Sequence, residues 1–148
     1  MNPEIVELQA RDTHALRRTI LRDGTASDVV EFDGDDLPST VHLGVSADGR
    51  IVAVSTWLVA NHPDHPTRNG VQLRGMATAP DHRGTGISAA LLAAGIDRGA
   101  AAGFELVWAH ARVAALSFYV RHGFSPIGDE YVDSTTGLLH RDILRILD

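Results

Sequence analysis

The sequence predicts an α+β fold, a single mixed β-sheet with helices on both faces, and three observations predict it. Two runs rich in β-branched residues, 41–47 and 51–59, are separated only by Asp48-Gly49-Arg50, which reads as a tight hairpin. Residues 87–102 place Ile87, Leu91, Leu92 and Ile96 on one helical face and Asp97 and Arg98 on another. Strand-like runs at 71–78 and 106–111 bracket that helix, so a strand-helix-strand unit follows the hairpin. With 148 residues, the chain fits one domain over 1–148 with a sizeable core and is too short for two ordinary ones.

The remaining elements follow in chain order. Residues 5–8 can pair as a first strand, and 13–21 carry Leu16, Ile20 and Leu21 at helical spacing. Asp12 or Thr13 can cap that helix and Gly24 can end it. The stretch 24–40 holds Asp28, Glu31, Asp33, Asp35 and Asp36 without one Lys or Arg, and its sparse apolar residues read as a loop. After the hairpin, Asn61-His62-Pro63-Asp64-His65-Pro66 breaks the chain, and Pro80 stops the 71–78 strand because proline lacks the ladder donor. Gly103 stands where the 87–102 helix should end. A strand at 106–111, a helix at 114–122 closed by Gly123, a strand starting at 124–128 and a last strand at 138–147 complete the order.

Composition excludes several function classes. Nineteen acidic against 13 basic residues give a net charge of -6, and no basic stripe could follow a phosphate backbone, so nucleic acid is not the expected partner. The chain has no cysteine, hence no disulfide, thiolate zinc site or cysteine nucleophile. No apolar run reaches the roughly 18 residues that span a bilayer, and the start has no basic-then-apolar signal pattern. The expectation is a cytoplasmic protein without a membrane partner. His62 and His65, flanking Pro63-Asp64, read as polar loop residues, and no metal site is expected.

The chemistry concentrates in 76–88, MATAPDHRGTGIS. Gly84 and Gly86 let the backbone turn tightly and approach a ligand with no side chain between. They stand where a helix begins, so free amides and the positive end of the helix dipole converge on one point that suits a pyrophosphate. Arg83 adds a charge able to bond phosphate oxygens. A nucleoside-triphosphate loop is excluded because no Lys-Ser or Lys-Thr follows the last glycine. Gly84-Thr85-Gly86-Ile87-Ser88-Ala89 also satisfies the dinucleotide pattern, with Glu105 about 20 residues on. On these residues alone, coenzyme A, a dinucleotide and a ligand-free glycine turn all stay open.

Two motifs in order then resemble the GNAT (GCN5-related) N-acetyltransferase superfamily. One is Arg83-Gly84-Thr85-Gly86-Ile87-Ser88 after the strand end Met76-Ala77-Thr78-Ala79-Pro80; it departs from the family form at Ser88, where glycine or alanine is usual. The other is Ala115-Leu116-Ser117-Phe118-Tyr119-Val120-Arg121-His122-Gly123-Phe124. The resemblance covers roughly 70–140 well and the first 60 residues only in layout.

The resemblance implies a splayed strand pair, here 71–78 and 106–111, that admits the pantetheine arm of acetyl-CoA. Met76, Ala77 and Thr78 would line that arm and Arg83, Gly84, Thr85, Gly86, Ile87 and Ser88 the pyrophosphate. Arg112 stands where the family often has a cofactor-binding asparagine. The implied reaction is direct acetyl transfer to a primary amine of a small molecule or peptide, with Tyr119 as general acid. The strand before the cofactor loop reads Val71-Gln72-Leu73-Arg74-Gly75, without the carboxylate that many members use as base. Glu130 and His140 are the substitutes expected from the layout, and Arg74 is expected to bind an acidic group on the acceptor. Homodimers are common among members. Two alternatives stand beside this reading: an acyl-CoA sensor without catalysis, and a dinucleotide-binding oxidoreductase.

Overall fold

Asp48 and Gly49 both take positive φ, 53° and 75°, the pairing that a two-residue turn needs to match the twist of its strands. They join β2 (Val41–Ala47) to β3 (Arg50–Val59), as the sequence predicts. The computed structural model describes residues 3–147. Its other strands are β1 (Glu4–Leu8), β4 (Gly70–Thr78), β5 (Leu106–Arg112), β6 (Ser125–Val132) and β7 (Leu139–Ile146). They form one seven-stranded sheet in the order β1-β2-β3-β4-β5-β7-β6, antiparallel except for β4 with β5.

Helix α2 (Ile87–Ala101) buries the predicted face: Ile87, Leu91, Leu92 and Ile96 are each at most 6 % exposed. Burying each such side chain contributes about 1.5–3 kcal/mol, which fixes α2 against the sheet. Gly95 sets how closely it lies. A Cβ there would stand 1.8 Å from Cζ2 of Trp57, so only glycine lets α2 rest on β3. Helix α3 (Leu116–Arg121), entered through a 3-10 turn (Val113–Ala115), closes the other end of the core with Phe118 and Tyr119.

The first helix departs from expectation. Segment 10–21, here α1, passes through a 3-10 turn (Ala10–Thr13), one α turn (His14–Leu16) and a π turn (Arg17–Leu21). It begins earlier than predicted because Asp12, rather than capping with its own position, turns back to accept the Gln9 N–H at 2.9 Å. The inward residue is a charge. Arg17 is fully buried and donates to Asp35 Oδ2 at 2.6 Å, to the Val30 carbonyl at 2.8 Å and to Thr56 Oγ1 at 2.7 Å, with its guanidinium carbon 3.9 Å from the Phe32 ring centre. His42 adds a bond from Nε2 to the Asp35 carbonyl at 2.9 Å. This network ties the 24–40 loop, which has no regular element, onto β2 and β3.

Candidate active site

Strands β4 and β5 pair only at Gly70 with Leu106, Val71 with Val107 and Gln72 with Trp108, although β4 runs on to Thr78 and β5 to Arg112. Beyond those three pairs they part. A bulge in β4 accompanies the parting: Val54 faces Ala77 and Thr56 faces Arg74, so Gly75 and Met76 together oppose Ser55, and Gly75 takes φ 60°. Such an extra residue bends a strand and increases its twist. The resulting cleft of about 490 Å³ is lined by both strands, by the 29–33 part of the loop, by Tyr119 and by residues 133–140 of the β6–β7 region.

Strand alternation sorts these side chains onto two faces. Arg74, Trp108, His110, Arg112, His140 and Asp142 share the face that carries Arg17 and Thr56, because β4, β5 and β7 pair in register there. Leu73, Val107, Ala109 and Ala111 face the core with α2 and α3. Tyr119 meets the cleft from the core face and the histidines meet it from the other, so the cleft connects the two sides of the sheet.

At the far end of β4 the chain turns through Pro80–His82 into Gly84 and Gly86, with φ 73° and 85°. The first bond of α2 is Ala90 N–H to the Gly86 carbonyl at 3.0 Å, which leaves the Ile87, Ser88 and Ala89 amides without helical acceptors. No heavy atom lies within 4 Å of where a Cβ would stand at Gly84 or Gly86. The donors, the dipole and the open approach fit an anion there. Ser88 Oγ lies 2.7 Å from Thr78 Oγ1, a bond that pins the helix start to the strand end and accounts for a hydroxyl at the position that departs from the family form. Arg83 is exposed beside this loop, whereas the Ala77 and Ile87 side chains belong to the core, so these two can offer a ligand only their backbone.

Tyr119 packs edge-on against Phe118 and Phe124, and among the described residues its hydroxyl has only Met76 Sδ as a hydrogen-bond partner, at 3.9 Å. Burial pushes this phenol up to about 12, so it stays protonated at neutral pH. His140 is buried on the cleft wall. Its Nδ1 bonds the Leu138 carbonyl at 3.0 Å, which fixes the proton on Nδ1 and leaves the Nε2 lone pair available. Glu130 is different. It is exposed in the irregular part of β6 between Ile127 and Tyr131, where the pairing with β7 shifts, and it does not line the cleft.

Arg74, Arg112 and Arg22 all line the cleft, and each is held by a backbone carbonyl: Asp33 at 2.6 Å, Leu21, and Val29 at 2.6 Å. None has a carboxylate within 4 Å among the described residues. Burial lowers the pKa of Arg74 and of Arg112 below the usual guanidinium value. An anionic ligand group would offset that loss of hydration.

The sequence reading passed over the groups around Asp142. His110 Nδ1 lies 2.5 Å from Asp142 Oδ1, the Tyr131 hydroxyl donates to the same oxygen at 2.6 Å, and His62 Nε2 lies 2.9 Å from Oδ2. Burial would raise the Asp142 pKa, but the bonds from Tyr131, His110 and His62 outweigh it and hold the carboxyl below its ordinary value. His62, read from sequence as a plain loop residue, is 3 % exposed and packed edge-on against Trp108. The one signal in the sequence was the alternation Trp108, His110, Arg112, polar or aromatic at every second position of an otherwise apolar strand.

Among the described residues no group of three or more His, Asp or Glu side chains could hold a metal ion, and no helix is long and apolar enough to cross a membrane. Glu105, which the dinucleotide reading needs for a ribose, instead accepts the Asn69 N–H at 3.2 Å.

The sequence profile of the acetyltransferase (GNAT) family matches residues 4–124. An uncharacterized N-acetyltransferase of Bacillus subtilis, YitI, is 25% identical over 128 residues, 86% of each chain. Among solved structures, an N-acyl amino acid synthase from uncultured soil microbes, FeeM, superposes with a TM-score of 0.83 at 12% identity, covering 99% of this chain and 91% of that one. An acyl-CoA N-acyltransferase from Pseudomonas aeruginosa gives 0.75 at 17% identity over 97% and 99%. The fold is the one these transferases share.

Proposed function

The chain belongs to the acetyltransferase (GNAT) family, and on that premise we propose that it moves an acetyl group from acetyl-CoA to a primary amine that also carries an acidic group. The observation that carries the donor half is the parting of β4 and β5 after three residue pairs, with a phosphate-suited helix start at one end and Tyr119 beside the gap. Backbone groups of Met76 to Thr78 would flank the pantetheine arm, and the amides from Gly84 to Ser88, with Arg83, would hold the pyrophosphate. Acetyl-CoA supplies an activated thioester, so no acyl-enzyme is needed.

Tyr119 acts at the sulfur. A phenol raised to about 12 is too weak an acid to protonate a thiolate outright. Its hydroxyl instead donates a hydrogen bond to the sulfur as charge develops, and passes on its proton as it regains one from the attacking nitrogen. Strand amides of β4 facing the gap can stabilise the oxyanion.

For the acceptor, the three cleft arginines favour a carboxylate near the amine, while Glu31, Asp33 and Asp133, which line the same cleft, suit the ammonium. Peptide and small-molecule amines both fit that description. The test is calorimetry with acetyl-CoA, followed by thiol release with amino acids and their decarboxylated counterparts. Preference for the carboxylate-bearing partner supports the reading; equal or better rates with the decarboxylated amine refute the acceptor half, and no acetyl-CoA binding refutes the donor half.

A further inference from the structure

An acceptor amine reaches neutral pH as an ammonium and must lose a proton before its nitrogen can attack; for a lysine-like amine that step is worth roughly 4–5 kcal/mol at pH 7. Strand β4 brings no carboxylate to the gap, and Glu130 points elsewhere. Building on the acetyl-transfer reading above, we infer that His110 takes this proton, held in its reactive tautomer by Asp142 and Tyr131.

Position is the first argument. Strands β4 and β5 last pair at Gln72 and Trp108, so His110 is the first residue of β5 on the acceptor face after they part. Its side chain is 48 % exposed and lines the cleft. A proton taken there can pass on to solvent.

The hydrogen bonds give the second argument, because they fix every tautomer. Asp64 N–H donates to His62 Nδ1 at 3.1 Å, so His62 carries its proton on Nε2 and donates it to Asp142 Oδ2. Tyr131 donates its hydroxyl to Asp142 Oδ1, and burial together with that bond raises the phenol well above its ordinary pKa, keeping it a donor. Asp142 is therefore an ionised acceptor, and His110 must present Nδ1–H to it. The Tyr131 oxygen, 2.8 Å from the same nitrogen, accepts from it as well. That leaves the lone pair on Nε2, with no partner in the chain among the described residues. A carboxylate on the far nitrogen of an imidazole orients the ring and stabilises the imidazolium that forms.

The step balances. His110 Nε2 takes one proton from the acceptor ammonium, and the freed nitrogen adds to the thioester carbonyl carbon. The C–S bond breaks, its electron pair leaving on sulfur. The nitrogen sheds its second proton as sulfur gains one through Tyr119. Products are the amide and free thiol, and the proton on His110 passes to water. The remaining charged or titratable groups that line the cleft with His110 are Glu31 and Asp33 of the loop, Arg22, Arg74 and Arg112, and Asp133 and His140. His140 stacks on Tyr131 with its ring centre 6.1 Å away, as a neighbour rather than a member of the bonded set.

Two measurements on the full chain test this. In nitrogen-15 spectra of histidine-labelled protein with acetyl-CoA added, His110 should show Nδ1–H and an unprotonated Nε2, and Asp142→Asn should abolish the strongly hydrogen-bonded Nδ1–H signal. In turnover, a panel of alkylamines and amino acids is compared with fluorinated counterparts that are already neutral at pH 7. His110→Gln should lower kcat at least 10²-fold for the basic amines and far less for the fluorinated ones. Asp142→Asn should lower kcat for the basic amines more than for the fluorinated ones, since the ring loses the carboxylate that holds its Nδ1–H, and Asp142→Glu should restore part of it. An Nε2–H tautomer, or equal losses with both amine sets in a folded His110→Gln protein, overturns the base while leaving acetyl transfer intact. Binding of acetyl-CoA with no panel amine acetylated by the unaltered protein overturns the transferase reading and the base with it.

Discussion

Gly86 permits a test that separates backbone strain from cofactor contact. Gly86 and Gly103 take nearly the same φ, 85° and 88°, and at neither does any heavy atom lie within 4 Å of an added Cβ. Alanine at either site must enter the left-handed region, which costs about 1–2 kcal/mol and neither clashes nor fills a void. Thermal unfolding should therefore register Gly86→Ala and Gly103→Ala alike, a fall of about 2–8 °C for a chain of this size. Acetyl-CoA should distinguish them. At Gly86 the new methyl stands at the mouth of the unpaired α2 amides, and losing one charge-assisted bond there, at about 1.5–3 kcal/mol, weakens binding by ten- to hundredfold. Gly103, at the other end of the same helix, should leave affinity unchanged. Calorimetry on both folded variants decides, and Gly86→Val should be worse than Gly86→Ala in affinity. Equal affinities for Gly86→Ala and Gly103→Ala would remove the pyrophosphate from this loop.

Other outcomes follow from the same geometry. Tyr119→Phe should lower kcat more than it raises the Michaelis constant for acetyl-CoA, because the hydroxyl acts as the thiolate leaves; an unchanged kcat makes Tyr119 a packing residue. Arg74→Gln should raise the Michaelis constant about tenfold or more for acceptors bearing a carboxylate and leave their decarboxylated counterparts unaffected, read from initial rates on matched pairs. Asp35→Asn leaves Arg17 buried with its charge unanswered and should cost about 3–5 kcal/mol in urea unfolding; a loss under about 1 kcal/mol would mean the pair is not holding the loop. Burial opposes ionisation of Asp35, but the bonds from Arg17 and the Phe32 amide prevail and depress its pKa. Its contribution to stability is therefore present above the unfolded carboxylate pKa near 4 and is lost as pH falls through the lower folded value, and Asp35→Asn should flatten that acid limb.

The sequence made some of this legible for local reasons. Asp48-Gly49-Arg50 between β-branched runs admits little but a hairpin, and the spacing of Ile87, Leu91, Leu92 and Ile96 is set by the helix itself. The glycine turn before α2 was readable as a helix start open to an anion because Gly84 and Gly86 are contiguous with it. What escaped depends on register over long distances. Asp142 comes to face His110 only because β7 pairs with β5 residue for residue, 32 positions away, and nothing near either residue announces that partner. Glu130 was expected at the cleft, but the shift between Ile127 and Tyr131 leaves it outside. The 24–40 stretch read as a loop of five carboxylates without a basic residue, whereas Asp35 is neutralised inside by Arg17, a buried charge in a helix that spacing alone would assign to apolar residues.

The parted strands also have a mechanical meaning. Three residue pairs, helped by the Trp108 Nε1 bond to the Ala60 carbonyl at 2.8 Å, are all the strand pairing that joins a four-stranded blade, β1 to β4, to a three-stranded one, β5 to β7. A seam this short would leave the gap to be bridged by the core and by whatever binds there, and a molecule bonded to both blades along the gap would work as a splint. With acetyl-CoA as that molecule, part of its binding energy would go into stiffening the sheet, and grip on the donor and rigidity of the wall that carries His110 would become one coupled property. A substitution at the seam, at Gly70 or Trp108, would loosen both together without touching a reacting group.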